Sequence, residues 1–238
     1  MSAARRPRGA DLDQSSEAPA KRRADGLTFS RAAATRHLRT VDPRLGMLID
    51  AAGPFDVRPE HDVDPFPYLL RSILFQQLHG AAARAIHARL LARWDDRVPT
   101  PQELLATSME ELRAIGVSGN KALAMHSLAA HALDGVLPTA AELDRLPDSE
   151  IVERFTAVRG VGPWTVHMLL LFRLGRPDVL PTGDFGVREG WRLLTGAAKQ
   201  STPTAFRADA EPWRPYRSVA AWYLWRAVDL HREGRLPT

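Results

Sequence analysis

Three stretches of this chain carry the same spacing: a threonine or serine, then a glutamate three residues on. Thr100-Pro101-Gln102-Glu103 adds a proline at the first helical position, and Ser108…Glu111 and Thr139…Glu142 repeat the interval. The hydroxyl can accept from the third backbone N–H while the glutamate reaches back to the cap, so each stretch opens a helix. Segments 67–78, 81–94, 119–134 and 216–232 place apolar residues three and four apart, and few stretches combine β-branched residues with strict alternation. The pattern predicts an almost all-α protein of roughly ten helices. No repeat of solenoid period is present, and no glycine pattern follows a strand, which excludes dinucleotide-binding and Walker-type folds.

A chain of 238 residues with 45% hydrophobic content can fill one large domain or two small lobes. No apolar run reaches the roughly 18 residues of a membrane span, and the charged N-terminus has no apolar segment behind it. No membrane partner is expected, and the cytoplasm is the expected compartment. The absence of cysteine excludes disulfides, thiolate zinc sites and cysteine-held iron–sulfur clusters. The net charge of +4 points to an anionic partner, but residues 1–40 hold nine basic and four acidic residues, leaving 23 and 24 for the rest. A nucleic-acid face on the folded part must therefore come from local clustering. Residues 1–36 read as a disordered basic tail and 37–238 as the folded domain. The tail suits DNA phosphates, and equally a solvated segment without a specific task.

The stretch VRGVGPWTVHMLLLFRLGRPDVLPTGDFG, residues 158–186, is the densest in signals. Asp148 is expected to cap a helix running to about Val158. Gly160 suits the left-handed conformation that ends it, Pro163 suits the next start, and Trp164 to Leu174 continues as a second helix. The hairpin thus spans 152–174. Gly160 and Gly162 let a phosphate approach the backbone, although an ordinary tight turn explains Gly-x-Gly-Pro as well. Trp164 and Met168 stand four apart on one helical face, and Asp184 follows between glycines.

Five blocks in order carry a resemblance: DPFPYLLRSILFQQL with AAARAIHARL, ELRAIGVSGNKALAMHSLAAHALDGVLP, the hairpin, LGRPDVLPTGDFGV, and WRPYRSVAAWYLWR. From about residue 38 to the C-terminus the chain resembles the helix-hairpin-helix DNA glycosylase superfamily, most of all the AlkA type, 3-methyladenine DNA glycosylase II. There is no room for the N-terminal β-domain of larger members, so the compact form is implied. The resemblance implies an all-α helix-hairpin-helix DNA glycosylase fold, with two helical subdomains and the active-site cleft between them. It implies a monofunctional enzyme that hydrolyses the N-glycosidic bond of alkylated purines, 3-methyladenine and 7-methylguanine, in duplex DNA during base excision repair. A glycosylase for another lesion, such as ethenoadenine or a deaminated base, is an alternative, as is a non-catalytic damaged-DNA-binding protein. One enzyme gripping one lesion needs no second copy, so a monomer is expected.

By the same register Asp184 is the catalytic carboxylate, placed to stabilise the oxocarbenium charge on the sugar. An N-cap is its plainer reading, and the two are compatible. Trp164 and Trp225 match the aromatic pocket, with Phe185 and Met168 completing a wall; core filling would explain either tryptophan. Met168 replaces an aromatic residue of some relatives. Gln77 and Leu78 match the DNA-opening wedge, against core packing beside Leu74 and Phe75, and His79 stands where a small hydroxyl residue is common. Backbone amides of Gly160, Gly162 and Trp164 would meet a phosphate. Carbonyls of Thr156, Val158 and Val161 would hold a monovalent cation, Na+ or K+, and no other cofactor is required. The histidines form no convincing metal site, since His126 and His131 lie five apart. Family members that also cut the backbone carry a lysine nucleophile where this chain has Trp164, so lyase chemistry is not expected. Ser118, Gly119 and Lys121 form a second polar turn suited to a phosphate or to solvent, and Arg217 and Arg226 suit structural ion pairs.

Overall fold

All three capping boxes form. The Thr100, Ser108 and Thr139 hydroxyls each accept from the N–H of the glutamate three residues on, and each glutamate accepts from the cap's N–H. The computed structural model describes residues 23–60 and 63–237, and contains thirteen α-helices and no strand among them. The chain begins with α1 (Arg31–Val41) and α2 (Pro43–Ala52). Then follow α3 (Pro65–Phe75), α4 (Gly80–Leu91), α5 (Pro101–Ala106), α6 (Met109–Ala114), α7 (Gly119–Leu133), α8 (Ala140–Leu143), α9 (Asp148–Thr156) and α10 (Pro163–Met168). It closes with α11 (Phe185–Thr195), α12 (Pro203–Asp209) and α13 (Arg217–Arg232).

Their apolar faces gather into two cores. One is built from α3 through α10 and includes Leu69, Ile73, Leu112, Met125, Leu128, Phe155 and Val166. The other joins the two ends of the chain, with Leu38, Leu45 and Leu48 against Phe206, Trp213, Tyr223 and Leu224. Two helical subdomains result, one continuous and one assembled from both termini.

The segment after α10 connects them. Leu169–Arg173 winds as a π-helix, in which the Leu174 N–H donates to the Leu169 carbonyl. Leu169 and Leu170 enter the first core, whereas Leu171 enters the second. The expected α-helix from Trp164 to Leu174 is therefore corrected: a wider turn inserts a residue and redirects the side chains that follow. Residues 176–179 extend the link. Buried Arg176 donates to the Leu143 and Leu146 carbonyls and pairs with Asp148 at 3.2 Å. Asp178 accepts from Arg214 and twice from the Arg217 guanidinium, and the Val179 N–H donates to Ser218 Oγ. Arg217 is thus a structural ion-pair residue, and Arg226 pairs with Asp229 at 2.6 Å on its own helix.

Three further expectations are corrected. Residues 1–22 of the predicted tail lie outside the described residues, but its later part is ordered: Ser30 caps α1, and Leu27 and Phe29 are buried in the second core. The domain therefore begins before residue 37. Asp148 is the first residue of α9 and not its cap, since the preceding Pro147 takes that position and the Asp148 carboxylate turns to Arg176. Finally, α3 stops at Phe75, short of 78, because Gln77 adopts a left-handed φ of 54°.

Gly190 sets the crossing of α11 and α13. A Cβ added there would lie 1.9 Å from the Leu224 carbonyl oxygen, so only glycine admits this backbone contact. Backbone cannot rotate aside as a side chain would. Gly190→Ala is expected to cost about 3 kcal/mol or more through overpacking. Gly119→Ala, at an open position in the first turn of α7, should change stability by no more than about 1 kcal/mol. Urea denaturation midpoints of the two variants check this pair.

A carboxylate between two indoles at the subdomain junction

Asp184 lies 8% exposed at the N-terminus of α11. Its Oδ1 accepts from the Val187 backbone N–H at 2.8 Å, so the capping role exists. Two indoles complete its surroundings. Trp164 Nε1 donates to Oδ2 at 2.6 Å, and Trp225 Nε1 donates to Oδ1 at 3.0 Å. Trp164 comes from α10 in the first subdomain and Trp225 from α13 in the second. An ionised carboxylate offers about four acceptor sites, and three N–H groups fill three of them. The remaining one is on Oδ2.

Close packing brings Trp225 there. A Cβ at Gly186 would meet Trp225 Cδ1 at 2.9 Å and Asp184 Oδ1 at 3.3 Å, so this glycine leaves room for the indole edge. One face of Trp225 is covered by Phe172, with ring centroids 5.5 Å apart at 29°. Trp164 is 51% exposed and Phe185 69% exposed, which places large apolar surface beside the carboxylate. Met168 follows Trp164 by one turn and is half-buried. The structure therefore brings Asp184, Trp164 and Trp225 into direct contact, with Phe185 and Met168 on the adjoining stretches.

The hairpin between α9 and α10 has a particular pattern of satisfied amides. The Arg159 N–H donates to Ser127 Oγ at 3.1 Å, the Val161 N–H to the Val158 carbonyl and the Thr165 N–H to the Gly162 carbonyl. The amides of Gly160, Gly162 and Trp164 have no acceptor among the described residues. Unpaired amides of this kind suit an anion. Gly160 takes a φ of +78°, and a Cβ there would stand 3.1 Å from Ala124 Cβ, so the hairpin rests closely on α7. Arg159, exposed beside these amides, adds a cation that the sequence reading passed over.

Leu78 is 37% exposed, outside the core that buries Leu74. Gln77 is exposed as well, and the left-handed turn it makes carries Leu78 away from the axis of α3. The neighbouring Gln76, not singled out from the sequence, donates through Nε2 to the Gly160 carbonyl at 2.9 Å. Lys121 has a second role inside the protein. Its ammonium donates to the Leu74 and Gln76 carbonyls at 2.6 and 2.8 Å, so two of its three donors are spent inside the protein. Thr156 is the last residue of α9, and Val158 and Val161 follow in the turn that leads to α10. The Val158 carbonyl accepts from the Val161 N–H at 3.1 Å and retains a second lone pair. Among the described residues no His, Asp and Glu cluster could hold a metal ion, and no helix is long and apolar enough to cross a membrane.

Comparison with known proteins gives concordant matches. The family model described as HhH-GPD superfamily base excision DNA repair protein matches residues 70–215. The chain is 36% identical over 198 residues to DNA-3-methyladenine glycosylase 1 of Schizosaccharomyces pombe, covering 82% of this chain and 86% of that protein. A solved structure of the Schizosaccharomyces pombe 3-methyladenine DNA glycosylase in complex with abasic DNA superposes with a TM-score of 0.70 at 36% identity, covering 82% of this chain and 95% of that one. The DNA-3-methyladenine glycosidase of Bacillus halodurans gives a TM-score of 0.75 at 33% identity, covering 87% and 93%.

On the same helix as Trp164, His167 is largely buried, and burial, with a smaller contribution from Arg207, pushes its imidazole down from 6.5 to about 4. It stays neutral and places no cation beside the indoles. Between these values the unfolded chain binds more protons than the folded one, so stability is fully present above about pH 6.5 and is lost as pH falls towards 4. The loss from this group is on the order of 1–3 kcal/mol. Thermal unfolding from pH 7 to 4 should show a shallower decline for His167→Gln than for the wild type; parallel curves would contradict the assignment.

Proposed function

The chain belongs to the HhH-GPD superfamily of base excision DNA repair proteins and is of its AlkA type, and from that premise we propose that it is a monofunctional DNA glycosylase releasing alkylated purines from duplex DNA. One observation carries the reading: a buried carboxylate held by indole N–H groups from both subdomains, beside a hairpin with three amides that have no acceptor among the described residues. The names of its relatives, which are 3-methyladenine glycosylases, support the choice of substrate. As substrates we propose 3-methyladenine and 7-methylguanine, with the protein acting as a monomer.

Leu78 enters the duplex where the damaged nucleotide leaves it, and the amides of Gly160, Gly162 and Trp164 hold the adjoining phosphate. A Na+ or K+ ion on the carbonyls of Thr156, Val158 and Val161 would supply positive charge beside that phosphate. The everted base stacks on the indoles. Methylation at N3 or N7 makes a purine cationic, and a cation over an aromatic face gains roughly 0.5 to 2 kcal/mol. The same positive charge improves the leaving group: the C1′–N bond breaks with its electron pair going to the base, which departs neutral. Asp184 stabilises the positive charge left on the sugar. Water adds its oxygen to C1′ and gives up a proton, for which the open acceptor site on Asp184 Oδ2 is available. The products are a free base and an abasic site.

The absence of lyase chemistry is proposed from the lysines. The chain has three; an indole occupies the hairpin position of the family nucleophile, Lys121 is bound to two carbonyls, Lys199 lies in the loop after α11, and Lys21 lies outside the described residues.

Purified protein incubated with methylated DNA should release 3-methyladenine and 7-methylguanine, separable by chromatography. Asp184→Asn should lower turnover by about 10²-fold or more while keeping affinity for an abasic-site duplex. The asparagine can still cap α11, but its NH2 would face one indole N–H, donor against donor. Unchanged turnover would remove Asp184 from the chemistry. Leu78→Ala should reduce activity on paired DNA by about tenfold and spare the same lesion in a single strand; equal losses would count against the wedge.

A further inference from the structure

The end of α3 is held from two directions. Lys121, in the first turn of α7, donates to the carbonyls of Leu74 and Gln76, the last turn of α3 and the residue just beyond it. Gln76 donates across to the Gly160 carbonyl in the hairpin. Gln77 then takes its left-handed φ of 54°, and Leu78 emerges exposed. The hairpin is itself seated on α7, through Ala124 under Gly160 and Ser127 Oγ under the Arg159 amide. One helix therefore supports both the residue that opens the duplex and the backbone that grips the phosphate.

A non-glycine residue at positive φ is strained, and such a conformation persists only where its surroundings fix it. An ammonium at a helix C-terminus satisfies carbonyls that lack intrahelical partners and complements the negative end of the dipole. Burial pushes the Lys121 ammonium down from its ordinary range, and it has no carboxylate partner among the described residues. Its place is explained by the turn it holds.

We propose that Lys121 is a positioning residue for strand opening, fixing the Gln76-Gln77-Leu78 turn so that Leu78 stands at a set offset from the phosphate-gripping hairpin. The inference rests on the wedge reading of Leu78 given above, and its test is independent of base release. The probe is a duplex containing a stable abasic-site analogue opposite 2-aminopurine, titrated to saturation with full-length protein. 2-Aminopurine emission rises when its stacking is disrupted, and the abasic position carries no base to excise.

Wild-type protein should raise the emission. Leu78→Ala and Lys121→Met should each lower the opening equilibrium by about fivefold, and the double variant should lose no more than either alone, as coupled residues do. Lys121→Arg, which keeps donors within reach of both carbonyls, should retain most of the wild-type rise. Full emission with Lys121→Met, or losses that multiply in the double variant, overturn the proposal. So does a wild-type protein that saturates the duplex without any rise. Circular dichroism establishes folding, and if Lys121→Met does not fold, Lys121→Gln, too short to span both carbonyls, is read by the same criteria. Failure to release bases from methylated DNA, with the emission pattern intact, would sink the glycosylase reading and leave this one standing.

Discussion

A carboxylate that is 8% exposed must be supplied with donors, and Asp184 draws them from three helices. Burying an ionised group without partners costs several kcal/mol, so the Asp184 site forms only if both indoles arrive. Trp164 projects from α10, a helix of the first core, and Trp225 from α13, where it packs against the core made from the chain ends. Assembly of the site therefore requires both subdomains in place. The polar requirement of a single side chain sets how the two apolar bodies meet.

The apparatus that delivers the indoles follows from this. A π turn divides three consecutive leucines between the cores and leaves Phe172 stacked on Trp225. Gly190 brings the backbones of α11 and α13 together, and Gly186 clears the space that the Trp225 edge occupies. Asp178, bound by Arg214 and Arg217, fixes the approach of the loop that ends in Asp184. Each device acts on backbone position and not on the chemistry directly. An error of an ångström in any of them is felt at the carboxylate, because hydrogen bonds of 2.6 to 3.0 Å tolerate little displacement.

Local signals were legible in the sequence, and contacts between distant segments were not. The capping boxes at Thr100, Ser108 and Thr139 depend on four consecutive residues, and they form as the spacing requires. The boundaries of α7 and α13 fall within a residue or two of the apolar periodicity for the same reason. The end of α3 was missed because its apolar pattern continues through Leu78 while a glutamine, not a glycine, makes the left-handed turn. The contact of Lys121 with the end of α3 carries no local signal, because a lysine in a polar turn suits a phosphate or solvent and only the fold brings the α3 carbonyls within reach. Asp148 followed the composition rule for a cap, but Pro147 and buried Arg176 drew it elsewhere. Gly190 carried a usable signal, since a glycine inside a good helix marks close packing, although its partner lies 34 residues on at Leu224.

The indole geometry also joins binding to chemistry. An indole N–H lies in the plane of its ring, so a tryptophan that donates to Asp184 presents the carboxylate with its edge and keeps its faces for stacking. Trp225 has one face against Phe172 and Trp164 is half exposed. A cationic purine stacked on either ring comes to rest near a negative charge that the same ring holds in place, and the sugar it carries is brought with it. In the proposed function, discrimination by charge and stabilisation of the sugar cation thus share one set of side chains. A neutral base gains the stacking but lacks the coulombic attraction to the carboxylate, and its glycosidic bond is the stronger one. Under the proposed function, selection for cationic bases would rest on the same indole–carboxylate contact that serves the chemistry.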